Sequence, residues 1–555
     1  MTKFSNGRSW VLVLVMLGTS MAGCHADDDD PKGQAEELFD SVRREHAMGR
    51  LQVIFGQRLQ AAKGDRSLPP VKEFCDATVE SLVRLYNEFP EDTQNGLKVL
   101  NLLGEMRDPR ALPALLKGLE WRRDVTEDHA VTAARTLSEI DIPDGKRGEV
   151  VDKIAKALTR VEDARPLDNR MRKAFIEVLG KLGDKAATPT LVDVMLKQDE
   201  AQNFLFNILA AQQLVEIADP AAVPALVKAL YVFATDNPAM RMNDVAASAL
   251  VAIGKPALQP VIEVLEGKNE DVNKLIKAYI ETVRRKDEEA ASQMHADTLI
   301  SVEATYTIGK LGFHEGLEPL LEESKAEDPT ERFGAAIALI GITREEGDTQ
   351  KVVDALERVY NDADKPQRPQ LLVAMRHVYA DAMMPVLLKV ASSGEDELPE
   401  IKLYAFAGYA LLATKAESEA LDKLLERETL YKEQLEEYLP AIAAARECDK
   451  DVACWVKKLN DKDKIVLRKA ASMLARFGRD NEEAIKGLVG LFGHSDLEVR
   501  NEALYAVDAI ATKGSKLAVD KISELQAVEG GRSIWNNFQR EALPARSRLM
   551  QRTGG

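Results

Sequence analysis

Val99-Leu100-Asn101-Leu102-Leu103-Gly104-Glu105-Met106-Arg107-Asp108-Pro109-Arg110-Ala111-Leu112-Pro113-Ala114-Leu115 reads as an apolar helical run, a turn, and the opening of a second run. The same wording returns as Ile176 to Leu191, with Gly180, Asp184 and Pro189 in matching places, and as Leu214 to Leu226, with Asp219, Pro220 and Pro224. Shorter versions are Leu250 to Pro260, around Gly254, and Ile308 to Pro319, around Gly309 and Gly312. The recurring proline stands at 113, 189, 224, 260, 319 and 385, so that 35 and 36 residues give the unit directly and 76 spans two of them. Glycine at the end of an apolar run takes the left-handed C-cap conformation. Asp-Pro makes the turn, and the later proline fits the first turn of the next helix, where its missing N–H costs nothing. From about residue 34 to 550 apolar residues recur at i, i+3, i+4 and i+7, with no period-two alternation, which predicts helices throughout. One such hairpin cannot bury its apolar face alone. The expected fold is therefore all-α: an α-solenoid of stacked helical hairpins, an α-α superhelix with one continuous core.

The phrase resembles the HEAT-repeat family, including the bacterial HEAT-like repeats related to those of phycobilin lyases. A second mark of the family is Asp, Arg four residues on, and Ala three further. It occurs as Asp328, Arg332 and Ala335 and again as Asp496, Arg500 and Ala503, and Lys464, Arg468 and Ala471 match it with the Asp displaced to Asp463. The resemblance covers roughly residues 80–525. It implies that Asp328, Arg332, Asp496 and Arg500 form a ladder between neighbouring repeats, and it is silent about chemistry. The period drifts between Pro260 and Pro319, 59 residues apart, around the charged stretch Glu281 to Glu289. The repeat signal is also weak across Lys415 to Ala445. We expect a solenoid over 91–525 with irregular segments near 264–300 and 415–460. Residues 34–90 form an N-terminal helical cap and 526–555 a C-terminal tail or cap.

The N-terminus carries basic Lys3 and Arg8 and then an apolar run of 13 residues ending at Ala22, too short for a membrane span of about 20. Met21-Ala22-Gly23-Cys24 resembles the lipobox of bacterial lipoproteins, with Met where Leu is usual. The resemblance implies a signal peptide over 1–23, cleavage before Cys24 and acylation of its sulfur. At about 0.8 kcal/mol per buried CH₂, two or three chains anchor stably where one does not. His25 follows the cysteine where Asp would favour inner-membrane retention, which resembles outer-membrane sorting in a Gram-negative envelope. Residues 24–33, with Asp27 to Asp30, read as a short solvated acidic tether.

The chain has 555 residues, 74 Lys plus Arg against 91 Asp plus Glu, and a net charge of −17. Hydrophobic residues make up 45%, ample for a core and contrary to disorder. Loss of residues 1–23 removes Lys3 and Arg8, leaving 72 basic residues against 91 and a charge of −19. Such a chain is repelled by phosphate backbones, which excludes nucleic acid and favours a basic or mixed-charge protein partner.

Motifs for chemistry are few. The seven histidines include no HExxH and no pair spaced i, i+4. Deoxyhypusine hydroxylases carry iron on HEAT repeats through several His-Glu dyads, whereas here His314-Glu315 stands alone in a turn and reads as surface. No Gly-Lys is followed by Ser or Thr, so there is no P-loop, and there is no GxSxG. Gly487, Gly490 and Gly493 read as close helix packing, and Tyr404, Phe406 and Tyr409 as core. Cys448 and Cys454 flank an Asp-rich turn. A straight helix would hold them about 9 Å apart, but a helix newly capped by Asp451 would bring them within reach of a disulfide. A bonded and a reduced pair both stay open. Cys75 reads as a buried small hydrophobe. No catalytic residue, metal site or cofactor is expected. The functional expectation is a lipid-anchored, non-catalytic scaffold or adaptor of the cell envelope, offering a concave surface of stacked second helices to a protein partner. The alternatives are an enzyme or enzyme subunit (lyase-like) with its site in an irregular segment, and a structural subunit of an envelope complex.

Overall fold

Each recurrence of the phrase folds as a helical hairpin. Helix Thr93–Met106 is followed by a single 3-10 turn, Pro109–Ala111, and then by Leu112–Gly118 with Pro113 in its first turn. The same sequence of elements repeats at Pro166–Leu182 with Thr188–Leu196, Phe204–Ile217 with Val223–Ala229, and Ala296–Leu311 with Leu317–Glu323. Asp108, Asp184 and Asp219 each accept the amide two residues on, which sets the turn. Positive-φ glycines do end first helices, at Gly183, Gly254 and Gly312, but Arg107 and Ala218 take the left-handed conformation in the other two. Gly104 lies inside its helix instead, where a Cβ would come within 2.6 Å of Thr136 Oγ1. Pro260 is likewise internal, because its helix already starts at Lys255.

In this computed structural model the described residues are 27–120, 127–159, 166–197, 203–233, 240–345, 347–393, 398–427, 431–527 and 532–553. Among them there is no strand beyond an isolated bridge between Phe233 and Arg241, and the fold is an all-α solenoid. No described helix is long and apolar enough to cross a membrane. The signal segment, the lipobox and Cys24 lie outside the described residues.

The chain divides into two units, residues 1–146 and 147–555. In the first, helices Pro31–Glu37, Arg44–Ala61 and Pro69–Glu88 precede the first repeat. Phe55 and Phe74 pack at 5.4 Å in its core. Residues 27–30 of the acidic tract are exposed and make local contacts. Asp30 caps helix Pro31–Glu37 through the amides of Lys32 and Gly33, both at 3.1 Å. Arg50 donates to the Asp28 carbonyl and pairs with Asp29 at 2.8 Å.

In the second unit the first members of the hairpins form one row. Helices Phe204–Ile217, Asn243–Ile253, Ala296–Leu311, Pro329–Ile340, Arg368–Met375, Pro399–Leu412, Lys464–Phe477 and Leu497–Ile510 each pack on the next. Helix Arg532–Arg552 packs on Leu497–Ile510 and also on Asn243–Ile253 and Ala296–Leu311, so the row returns on itself. Burial runs all round two of these helices, every residue from Ile465 to Leu474 and from Ala405 to Leu412, whereas Phe204–Ile217 exposes Leu205 and Ala296–Leu311 exposes Val302. A helix apolar all round belongs inside a protein. The second members, such as Asp348–Asp362 and Ser418–Arg427, bury one stripe only.

This corrects the expectation of an open concave surface of second helices. The first helices form the enclosed row, and residues 526–555 supply the helix that closes it. The irregular segments are helical too: Glu270–Lys286 and Glu288–Ser292 in one, Ser418–Arg427, Lys432–Glu436, Leu439–Cys448 and Val452–Lys458 in the other.

Candidate functional site

The residues singled out from the sequence mostly hold local structure. Cys448 and Cys454 are joined by a disulfide with their Cα atoms 5.3 Å apart, across a turn in which Asp451 caps helix Val452–Lys458. Cys75 is buried, and burial pushes its thiol up to about 11. The expected Asp–Arg ladder does not form. Asp328 accepts the amides of Thr330 and Glu331 at the start of its own helix, while Arg332 donates to the carbonyls of Ala326 and Glu327 at 2.8 and 2.7 Å. Asp496 caps its helix through Glu498 and Val499, and Arg500 donates to the carbonyls of His494 and Ser495. The spacing that suggested a ladder brings the Arg back onto its own turn. Pairing between these repeats runs instead through Arg468 with Glu498 and Lys464 with Asp496.

His314 sits in a turn as expected, its Nδ1 3.3 Å from the Thr343 carbonyl and 3.5 Å from Asp348 Oδ2, with Glu345 3.9 Å from Nε2. Asp348 already accepts the Glu345 amide and pairs with Lys351, so these groups serve the turn. Gly487 makes the close packing expected of it, a Cβ there falling 2.6 Å from Leu459, whereas Gly490 and Gly493 face open space. Phe406 and Tyr409 are core, but Tyr404 is 44% exposed. An open depression of about 380 Å³ lies between Leu265, Pro319, Glu322 and Lys325.

The most concentrated chemistry is a seam of charged groups along the enclosed row. Glu502 is fully enclosed: Ser472 Oγ donates to it at 2.8 Å, Arg376 forms an ion pair with it at 3.2 Å, and Tyr379 Oη and His377 Nε2 lie close by. Burial would raise its pKa, but Arg376 and His377 outweigh that and hold the carboxyl far below the usual carboxylate range. Burial keeps His377 below its ordinary value, against the pull of Glu502. Lys469 donates to the carbonyls of Ala410 and Ala413, and Arg476 to that of Leu412, so two cations of one helix cap the C-terminus of Pro399–Leu412. Glu303, buried on Ala296–Leu311, pairs with Arg241 and accepts Asn243 Nδ2 at 3.0 Å.

The seam continues onto the closing helix. Lys310 pairs with Glu541 at 2.6 Å, and Asp508 receives Arg548 at 2.6 Å and Arg552 at 3.1 Å. Arg548 also donates to the Lys310 carbonyl at 2.6 Å, Arg552 to that of Asp508 at 2.7 Å, and Gln551 to that of Val251 at 2.7 Å. Sequence reasoning missed this set. Its one signal was a charge at a core register inside an apolar run, as with Glu502 between Val499 and Ala503, or Lys469 among Ile465 to Leu474. Chemically these groups neutralise one another and fasten helix to helix.

Fold and seam together define a helical-repeat protein whose ionisable interior is structural. The repeat family described as PBS lyase HEAT-like repeat matches residues 208–231, within helix Phe204–Ile217 and the hairpin partner that follows it. No curated protein matches the chain. Among solved structures the chain is similar to Kap121p bound to Nup53p, with 14% identity, 91% of this chain and 55% of that chain covered, and a TM-score of 0.46. It is also similar to Kap95p in its structure with RanGDP, with 13% identity, 92% and 80% covered, and a TM-score of 0.40. The chain spans about half the length of Kap121p.

Proposed function

We propose that the chain is a lipid-anchored, non-catalytic HEAT-repeat scaffold of a Gram-negative cell envelope that binds a protein partner. One observation carries the reading: a stack of helical hairpins whose buried charges are spent on holding helices together, leaving surface presentation as what the architecture does. The described carboxylates and cations of the seam face one another rather than a cavity. The anchor rests on Met21-Ala22-Gly23-Cys24, and the preference for a basic or mixed-charge partner on the −19 charge that follows cleavage.

In-cell crosslinking and pull-down of a C-terminally tagged chain tests this, with Cys24→Ser as the unanchored control. We expect a defined envelope protein recovered with the native chain, lost or weakened in the control, and released as salt rises. Recovery of no partner with either chain would refute the scaffold reading.

A further inference from the structure

We propose that helix Arg44–Ala61 lies on the membrane that the Cys24 acyl chains enter, with its uncharged outer face against the headgroups of a zwitterionic phospholipid surface. The inference rests on the lipid-anchored reading and says which face of the first unit meets the bilayer.

Reach brings the helix and the bilayer together. Asp27 stands three residues after Cys24, and an extended chain gains at most about 3.6 Å per residue, so the acylated residue is within about 11 Å of Asp27. The fold places Asp27 in turn. Buried Gln34 donates to its carbonyl at 3.2 Å, and Arg50 donates to the Asp28 carbonyl at 3.0 and 3.1 Å and pairs with Asp29 at 2.8 Å. Arg50 belongs to helix Arg44–Ala61, one turn from His46 on one side and from Val53 on the other. A helix is about 10 Å across, so an acylated Cys24 holds the headgroup layer about one helix diameter from this one.

The outer face of this helix is unlike its neighbour's. From Gln52 to Ala61 every exposed residue is uncharged: Gln52, Val53, Gly56, Gln57, Gln60 and Ala61. On the next helix, Pro69–Glu88, every exposed residue from Lys72 on is charged: Lys72, Glu73, Asp76, Glu80, Arg84 and Glu88. Val53, Gly56 and Gln60 recur at i, i+3 and i+7 on the side opposite buried Met48, Leu51 and Phe55. The exposed large apolar side chains of the unit's described residues all flank or lie on this helix: Val42, 89% exposed, just before it, Val53 within it, and Leu68 after the turn that follows it. Gly49 and Gly56 each cost a helix about 0.5–1 kcal/mol against alanine, yet a Cβ at either would meet nothing within 4 Å, so packing within the chain does not require them. Lacking side chains, they let the backbone lie close to a flat surface.

This chemistry selects the lipid. Glutamine amides donate to phosphate and ester oxygens, and Val53 reaches the boundary of the acyl layer. The acidic residues Asp27 to Asp30 stand beside the face, so anionic headgroups repel it and zwitterionic ones admit it. A face this weakly apolar binds poorly by itself. The anchor makes docking intramolecular, at an effective concentration of about millimolar.

The test joins Cys24 of the chain without residues 1–23 to a maleimide phospholipid in phosphatidylcholine vesicles; Cys75 is buried and the other two cysteines are bonded, so Cys24 reacts alone. An indole added by Val53→Trp, or by Glu80→Trp as the control, is read through quenching by phosphatidylcholine brominated on its acyl chains. The indole at position 53 should be quenched at least fivefold more strongly than that at position 80. Adding Gly56→Asp, an exposed change in a helix with room for it, should remove most of that quenching, and the unanchored Cys24→Ser chain should show none. Equal quenching at the two positions, or none at position 53, overturns the proposal. Stronger quenching on phosphatidylglycerol vesicles overturns the zwitterionic surface. In-cell photocrosslinking from position 53 that yields a protein adduct and no lipid adduct overturns the membrane as occupant. The mass of the Cys24 peptide from chain purified out of the envelope reads native acylation separately. Its absence would overturn the anchored reading and this inference with it, whereas failed quenching on the chemically anchored chain overturns the inference alone.

Discussion

Glu502→Ala should destabilise the second unit by about 3–5 kcal/mol, the range for removing one partner of a buried ion pair. The structure supplies the reason. Arg376 stands 3.2 Å from Glu502, and with an effective dielectric constant of about 20 that separation corresponds to an attraction of about 5 kcal/mol. Desolvation of both groups cancels much of it in the intact pair. Once the carboxylate is gone, Arg376, only 15% exposed, keeps its desolvation penalty without the attraction, and Ser472 Oγ loses its acceptor. Glu502→Gln keeps the shape and an acceptor, so it should cost clearly less. The pH dependence has a definite sign. The folded carboxyl is held far below its unfolded value of about 4.3, so its stabilisation is complete above that pH and is lost as the pH falls below it. The stability difference between wild type and Glu502→Gln should therefore shrink as the pH drops below about 4. Urea unfolding, with hydrogen exchange to locate the loss in Lys464–Phe477 and Leu497–Ile510, measures both effects. A Glu502→Ala change under 0.5 kcal/mol at pH 7 would refute the reasoning.

Other expectations follow from the same seam and from the caps. Lys469 is fully buried with its pKa held well below the ordinary lysine value, so the unfolded chain binds more protons between that lowered value and about 10.4. Stability should rise with pH across that window in the wild type, and unfolding of Lys469→Met should lack that rise. Asp328→Ala and Asp496→Ala should each cost about 1 kcal/mol as lost N-caps, and the double variant, whose caps belong to separate repeats, should show their sum; no loss in either would refute the caps. In unreduced, denatured chain with Cys24 acylated, alkylation should label Cys75 alone. Reducing Cys448–Cys454, which closes a loop six residues apart, should cost about 2 kcal/mol by loop entropy.

The hairpins were legible because each rests on local chemistry. Asp108, Asp184 and Asp219 set turns within two residues of themselves, and Pro113, Pro189 and Pro224 lie in the first turn of a helix wherever they occur. The row's return on itself was not legible, since it depends on small rotations summed over many repeats and on one helix, Arg532–Arg552, that carries no repeat phrase. Arg548 and Gln551 look like ordinary surface residues in sequence; only the approach of helix ends from 238 and 300 residues away gives them acceptors. The ladder reading erred for the opposite reason. Arg332 and Arg500 satisfy carbonyls five and six residues back, a local solution that the spacing also allows.

Closure of the row is the claim on which the seam depends, and the pair Lys310–Glu541 tests it most directly. Their charged atoms are 2.6 Å apart and their positions 231 residues apart in sequence. A carbodiimide, which joins an amine to a carboxylate only in direct contact, followed by peptide mass spectrometry on the intact chain, reads that pair. The account predicts a crosslinked peptide joining Lys310 to Glu541. Crosslinks from Lys310 to carboxylates of its own and adjacent repeats, with none to residues 538–553, would contradict it.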